Sequence, residues 1–119
     1  PLVGPSSILL AMMASGMNGQ SFTFNGYLPI DKNDKKTAIK NLEKLSFDKN
    51  QSQIFIETPY RNNKLLEDIL QALQPTTHLC IATDITLPTE YIKTLRAADW
   101  KKTKVDLHNR PTIFIIHKM

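Results

Sequence analysis

Apolar residues recur along this chain with two periods, that of an amphipathic helix and that of a strand. The helical period is clearest over residues 62–73, where the apolar stripe consists of Leu65, Leu66, Ile69, Leu70 and Leu73. Glu67 and Asp68 fall between these positions, so they are predicted to face solvent. The pattern therefore predicts a helix that buries a single face.

Two further helices are expected nearer the start of the chain. One begins at Asp34, which is a good N-cap, and reaches about Leu45. The other, Ile8–Ala14, follows a possible N-cap at Ser6 or Ser7 and is apolar on every side. A helix of that kind is stable only when it is buried all round.

Strands are predicted where polar and apolar residues alternate or where a short apolar run is uninterrupted, at 21–26, 54–57, 79–82 and 111–116. The last of these is nearly continuous in apolar residues and is expected near the centre of the sheet. Residues 87–104 fit either a strand at 90–94 with a short helix at 97–101 or one continuous helix, and we favour the strand. Together these elements predict one α/β domain over residues 1–119, with helices packed on a mixed, partly parallel sheet of about five strands.

The composition is that of a globular protein, with 119 residues, 41% hydrophobic residues and a net charge of +4. The single cysteine, Cys80, lies in an apolar run, which predicts a buried thiol and a reducing, cytoplasmic compartment. No run of apolar residues is long enough for a membrane span. The histidines are too far apart in sequence to suggest a metal site.

The positive charge is concentrated in two groups of lysines. One group is Lys32, Lys35, Lys36 and Lys40, and the other is Lys101, Lys102 and Lys104. Such groups most often form a solvated face, and the alternative is contact with a polyanion. Trp100, the only tryptophan, is predicted to anchor a small part of the core beside the second group.

Polar residues follow two of the predicted strands at the point where each ends. Glu57 closes the strand at 54–57, and the turn 83–88 closes the strand at 79–82. Ligands of α/β proteins bind at such strand ends, so we expect these residues to form one ligand-binding rim. Glu57 is suited to a ribose hydroxyl or an ammonium group, and the alternative for it is a salt bridge to Arg61. Ser6 and Ser7, at a helix start, either bind a ligand or simply cap the helix.

Four short motifs in the sequence together resemble those of a known protein family. They are Gly4-Pro5-Ser6-Ser7, Phe24-Asn25-Gly26-Tyr27-Leu28-Pro29, Phe55-Ile56-Glu57-Thr58-Pro59-Tyr60-Arg61 and Leu65-Leu66-Glu67-Asp68-Ile69. In this order and spacing they resemble the tetrapyrrole methylase family of S-adenosylmethionine-dependent methyltransferases. The resemblance is greatest to the branch that methylates the ribose of cytidine in small-subunit ribosomal RNA.

The resemblance implies that this chain is the C-terminal domain of a two-domain enzyme, which also fits its start at Pro1. It implies S-adenosylmethionine as cofactor, ribosomal RNA or a tetrapyrrole-like ring as methyl acceptor, and a homodimer. By position it assigns cofactor contacts to Ser6, Ser7, Glu57, Ile85, Pro111 and Thr112, and substrate contacts to Tyr60 and Arg61. The RNA branch usually has arginine-glutamate-leucine-threonine-lysine at residues 83–87 and a histidine at Tyr60, so two cations beside the cleft are replaced here.

The sequence supports three classes of function. The first is a methyltransferase, in which catalysis comes mainly from positioning the methyl donor near its acceptor. The second is a basic RNA-binding module without catalysis, which would use the two lysine groups and Arg61. The third, compatible with the first, is a dimerisation unit in which the all-apolar first helix is covered by a partner.

Overall fold

A computed structural model describes Ala11 and residues 21–118. The predicted helix Ile8–Ala14 lies outside the described residues except for Ala11, which is helical and buried. Ser6 and Ser7 also lie outside them. The elements in chain order are β1 (Phe22–Tyr27), α1 (Lys32–Asp48), β2 (Ser52–Ile56), a 3₁₀ turn (Pro59–Arg61), α2 (Asn62–Ala72), β3 (His78–Thr83), β4 (Tyr91–Arg96), α3 (Ala97–Trp100) and β5 (Thr112–His117).

The five strands form one mixed sheet in the order β1-β2-β5-β3-β4. β1 pairs with β2 in parallel, and the other three pairings are antiparallel. β5 therefore separates β2 from β3, and these two strands run in the same direction because both are antiparallel to β5. The predicted mixed sheet and the central position of the final strand are confirmed.

Helices α1, α2 and α3 cover one face of the sheet. Phe55 of β2 and Phe114 of β5 stack on that face with ring centroids 5.9 Å apart. Trp100 is buried in the same core, where its indole N–H donates to the Leu79 carbonyl at 2.7 Å. Trp100 is thus part of the main core rather than of a small separate cluster, because α3 packs against β4 and α2.

The opposite face of the sheet carries a second apolar cluster, which consists of Ile54, Cys80, Ala82, Ile113 and Ile115 with Ala11 packed against them. Cys80 is buried as predicted, and burial raises the pKa of its thiol to about 11. The thiol is therefore protonated at neutral pH and unsuited to act as a nucleophile.

Two predicted boundaries are wrong. Helix α1 begins three residues early, because the Asp31 side chain, not that of Asp34, accepts the capping hydrogen bond from the Asp34 N–H at 3.0 Å. The helix also continues past its predicted end at about Leu45, as far as Asp48. The strand and short helix predicted within residues 87–104 are confirmed as β4 and α3. Within the described residues no helix is both long and apolar enough to cross a bilayer.

Candidate functional site

The ends of β2 and β3 and the start of β5 lie at one edge of the sheet, which we call the strand-end rim (Glu57, Asp84, Ile85, Pro111, Thr112). Ile56 is paired with Ile113, and Thr83 is paired with Thr112. The Asp84 N–H donates to the Pro111 carbonyl at 3.0 Å, which ties the two sides of the rim together. The turn after β3 and Glu57 lie at the same end of the sheet, as predicted, but they are not adjacent, because β5 separates β2 from β3.

Glu57 is held by its neighbours and not by Arg61. Its Oε1 accepts hydrogen bonds from the Thr58 N–H at 2.9 Å and the Thr58 hydroxyl at 3.3 Å. Its Oε2 lies 3.9 Å from the Lys35 ammonium, and the side chain is only 9% exposed. The guanidinium of Arg61 instead lies 5.3 Å from the centre of the Tyr60 ring, so the predicted Glu57–Arg61 salt bridge is wrong.

Behind Glu57, Lys35 of α1 continues into a charged network between the two long helices. The Lys35 ammonium lies 3.5 Å from Asp68 of α2, and Lys64 contributes a second cation 3.4 Å from the same carboxylate. Lys35 and Asp68 are both buried, so the predicted solvent positions of Asp68 and Lys35 are wrong. The physical reason is that each side chain lies on the helix face that meets the other helix, where the two opposite charges compensate each other.

A second fixed ion pair, which was not predicted from the sequence, lies at the β3 side of the rim. Arg110 donates from Nε to Asp84 Oδ2 at 2.7 Å and from Nη2 to the Thr89 carbonyl at 2.9 Å. Burial opposes ionisation of Asp84, but the hydrogen bonds from Arg110 and Thr89 and the charge of Arg110 outweigh it, so the pKa of Asp84 is lowered. The sequence did contain an indication of this pair, because Arg110 immediately precedes Pro111, which was expected to lie at the rim.

The turn after β3 is strained. Asp84 and Thr86 have φ angles of 52° and 70°. Asp tolerates this left-handed conformation, but for the β-branched Thr86 it is unfavourable. The Thr86 N–H donates to the Glu90 carboxylate at 2.9 Å, which helps to hold the turn. Strain of this kind in a structure concentrates at ligand-binding segments, and here it brackets Ile85.

The remaining rim residues differ in which of their polar groups are available to a ligand. Ile85 is partly buried against the second apolar cluster, and its backbone N–H and C=O have no hydrogen-bond partner among the described residues. Thr112 is 2% exposed, and its hydroxyl lies 2.8 Å from that of Thr83. Ile85 therefore presents backbone groups without a partner in the described part of the chain, beside an apolar side chain. The hydroxyl of Thr112 is instead bonded within the fold.

Large apolar side chains are exposed around this edge, namely Tyr27, Ile30, Tyr60 and Leu87. A groove of about 240 Å³ opens between the two long helices, lined by Ile30, Lys32, Lys35, Arg61, Lys64 and Asp68. Within the described residues no group of His, Cys, Asp and Glu side chains is arranged to hold a metal ion. The edge thus combines exposed apolar surface, a cationic groove and, as far as the described residues show, backbone groups of Ile85 without a partner. This combination suits an organic ligand with a polar and an apolar part.

The sequence was compared with curated proteins. It is 30% identical over 119 residues to the ribosomal RNA small subunit methyltransferase I of Buchnera aphidicola (from Schizaphis graminum), and the match covers 98% of this chain and 40% of that protein. It is 31% identical over 99 residues to the protein of the same name from Vibrio cholerae, covering 83% of this chain and 33% of the relative. The chain thus spans about two fifths of the first relative and a third of the second. No model of a known protein family matches the sequence.

Solved structures show the same fold at lower identity. The methyltransferase CobJ superposes with a TM-score of 0.57 and 14% identity, covering 93% of this chain and 47% of that one. A uroporphyrin-III C-methyltransferase from Thermus thermophilus, solved with S-adenosylhomocysteine, superposes with a TM-score of 0.53 and 13% identity, covering 94% of this chain and 49% of that one. These likenesses establish the fold of the present chain.

Proposed function

Because this chain belongs to the tetrapyrrole methylase family, we propose that residues 1–119 form the C-terminal domain of a two-domain, S-adenosylmethionine-dependent methyltransferase. The observation that carries the proposal is the match, over 98% of the chain, to a protein named as a ribosomal RNA methyltransferase. The strand-end rim supports it, because the residues expected to contact the cofactor that lie within the described part of the chain share that edge.

S-adenosylmethionine fits the rim through its nucleoside. The backbone N–H and C=O of Ile85, which have no partner among residues 21–118 and Ala11, suit the polar edge of an adenine ring. The Ile85 side chain offers an apolar surface to the face of that ring. Because the Thr112 hydroxyl is used within the fold, we assign backbone rather than side-chain contacts to Pro111 and Thr112. Ser6 and Ser7 remain proposed contacts outside the described residues.

In this proposal Glu57 lies beneath the cofactor and supports its binding site. Its carboxylate is fixed by Thr58 and Lys35, so it holds the end of β2 in one conformation. The bound cofactor supplies an electrophilic methyl group on sulfur. The protein contributes orientation, because a donor fixed against a rigid strand edge reacts with an acceptor held at the correct distance.

We propose small-subunit ribosomal RNA as the acceptor, because the relatives that share 30–31% identity carry that name. Tyr60 and Arg61, exposed and half-buried respectively beside the rim, are the proposed substrate contacts. A tetrapyrrole-like ring is the competing acceptor. Cytoplasmic location and homodimerisation of the intact polypeptide belong to the same proposal.

Calorimetric titration of the intact polypeptide with S-adenosylmethionine tests the cofactor site. We expect Ile85→Trp to weaken binding by at least about tenfold, roughly 1.4 kcal/mol, because the larger ring fills the adenine position. Leu45→Trp, at a partly exposed position at the far end of α1, is the matched control and should leave the affinity unchanged. Absence of binding by the unmodified protein, or equal losses in both variants, would contradict the assignment.

Transfer of label from methyl-tritiated S-adenosylmethionine tests the acceptor. We expect label to enter small-subunit ribosomal RNA and not a uroporphyrinogen ring. Label in the ring alone would show that the acceptor is misassigned while the cofactor site stands. Binding of RNA without any transfer to it would instead support the non-catalytic binding module.

A further inference from the structure

The lysines of α1 are arranged differently from the group visible in the sequence. Lys35 is turned inward, whereas Lys32, Lys36, Lys40 and Lys44 are exposed. These four are spaced four residues apart, so they follow one side of the helix with a step of about 6 Å between neighbours. The result is a line of cations along nearly the whole length of α1.

Each end of this line opens into a groove that has an exposed aromatic ring and a cation beside it. The first is the groove near the rim, where Arg61 lies over Tyr60 at 5.3 Å. The second is a cavity of about 380 Å³ at the far end of α1, lined by Lys40, Glu43, Lys44, Phe47, Ala72, Gln74 and Lys118. There the Lys118 ammonium lies 5.3 Å from the centre of the Phe47 ring.

The acidic residues near this line do not cancel its charge. Glu43 and Asp68 are buried and engaged by Thr77 and by Lys35 with Lys64. Asp48 pairs with Lys44 at 2.9 Å, and Asp31 and Asp34 lie at the start of α1. The surface cations still outnumber the four acids Asp31, Asp34, Glu43 and Asp48. The cations are Lys32, Lys36, Lys40, Lys44, Arg61 and Lys118.

We propose that this surface, the α1 lysine track (Lys32, Lys36, Lys40, Lys44 with the grooves at Tyr60 and Phe47), binds the backbone of an RNA strand and leads it to the strand-end rim. Lysines supply phosphate contacts without reading sequence, and an exposed aromatic ring at each end provides a face on which an unpaired base stacks. The near groove reaches the rim directly, because Lys35, which lines it, lies 3.9 Å from Glu57. The inference rests on the proposed function, since it supplies the surface for the proposed acceptor.

The second lysine group provides a natural comparison. Lys101, Lys102 and Lys104 are also exposed, but the adjacent Trp100 is buried and its N–H is bonded to the Leu79 carbonyl. The ring of Trp100 is therefore not accessible for base stacking. This group has a similar charge without the aromatic partner, so its removal controls for charge alone.

The test measures the affinity of the intact polypeptide for a fluorescently labelled, single-stranded fragment of small-subunit ribosomal RNA at several salt concentrations. We expect K36Q/K40Q/K44Q to weaken binding at least about tenfold and to reduce the salt slope by about 2, since each lost contact to a single strand contributes about 0.7. K101Q/K102Q/K104Q, which removes the same charge, should change the affinity less than about twofold. Equal losses in the two triple variants would show that only net charge matters and would overturn the track.

Phe47→Leu gives a second, independent variant. We expect it to weaken RNA binding by roughly 1 kcal/mol, about fivefold, with an unchanged salt slope, because a stacking contact and no ionic contact is lost. An unchanged affinity would remove the far groove from the proposal. Anionic phosphatidylserine vesicles are the competing ligand. If they bind as tightly as RNA and through the same lysines, the surface is a membrane contact and the proposal is wrong.

S-adenosylmethionine affinity, measured on every variant, separates this inference from the proposed function. Normal cofactor binding in K36Q/K40Q/K44Q with a selective loss of RNA binding supports the track. Normal cofactor binding with undiminished RNA binding overturns the track alone. If the unmodified protein binds RNA through α1 but does not bind the cofactor, the α1 lysine track is supported and the proposed methyltransferase function is wrong.

Discussion

At the end of the sheet where β2 and β3 begin, Glu43 accepts hydrogen bonds from the Gln74 N–H at 2.8 Å and the Thr77 hydroxyl at 2.5 Å. At the end where the same strands finish, Glu57 is held by Thr58 and by a lysine at 3.9 Å. Both carboxylates are largely buried, yet their surroundings differ. The partners of Glu43 are groups of the fold itself, although the groove that it lines also contains the exposed Phe47 ring. At the edge near Glu57, the Ile85 backbone has no hydrogen-bond partner among the described residues, and the exposed rings are those of Tyr27 and Tyr60.

The comparison of Glu43 with Glu57 distinguishes polar groups that only stabilise the fold from polar groups that are also available to a ligand. At the Glu43 end His117 is also engaged within the fold, by Ser52 and Asn50 at 3.1 Å each, while the groove lined by Phe47 and Lys118 stays open. A buried ionisable residue is thus no guide to a binding site by itself. The informative feature is what its neighbours leave unsatisfied or exposed.

The largest effect is expected from Glu43→Ala. The variant leaves the Thr77 hydroxyl and the Gln74 N–H without their acceptor, so we expect a loss of roughly 3 kcal/mol in the free energy of unfolding. Urea unfolding measures it, with Glu67→Ala, on the exposed side of α2, as the control. Cofactor affinity should not change, and a large change in it would break the distinction between the two ends.

A smaller effect is expected from Lys35→Met. Glu57 and Asp68 lose a shared cation but keep Thr58 and Lys64, so we expect a loss of roughly 2 kcal/mol in the free energy of unfolding. Unlike Glu43→Ala, this variant should also weaken cofactor binding, because it frees the end of β2. The triple change K35M/E57Q/D68N should recover much of the stability, and failure to recover it would show that the charges do not compensate one another.

The smallest effect concerns pH. Burial, and then the nearby charge of His78, lower the pKa of His117. Its folded pKa therefore lies below the unfolded value of about 6.5, so the unfolded chain binds the proton first as the pH falls. We expect the free energy of unfolding to decrease as the pH falls below about 6.5, and this contribution to vanish in His117→Asn but not in His108→Asn, which changes an exposed histidine. Urea midpoints at several pH values measure it, and identical profiles for the two variants would exclude His117 as the source.

Much of this fold follows from local sequence patterns. The leucine stripe of α2, the alternation in β1 and the apolar run of β5 specify their elements because each pattern matches one period of one structure. The shared edge of Glu57 and Asp84 also follows, since strands that run in the same direction end on the same side of a sheet. The role of each rim residue in ligand binding stays a prediction.

The parts that could not be predicted depend on contacts between distant residues. Lys35 and Asp68 look like ordinary exposed positions, and only the packing of α1 on α2 turns them toward each other. The Asp84–Arg110 pair joins residues 26 positions apart. The lysine track was partly visible as a charge cluster, but the inward turn of Lys35 and the inclusion of Lys44 required the helix to be placed on the sheet.

The central position of β5 has a consequence for how the molecule is made. Of the five strands in the described residues, β5 is the last to be synthesised, yet it lies between the β1–β2 pair and the β3–β4 pair and joins them. Until it arrives, β2 and β3 each have one bare hydrogen-bonding edge of the kind that invites pairing with other chains. These two edges are therefore protected only once β5 has been made, so the interval between the synthesis of β3 and that of β5 is a period of aggregation risk.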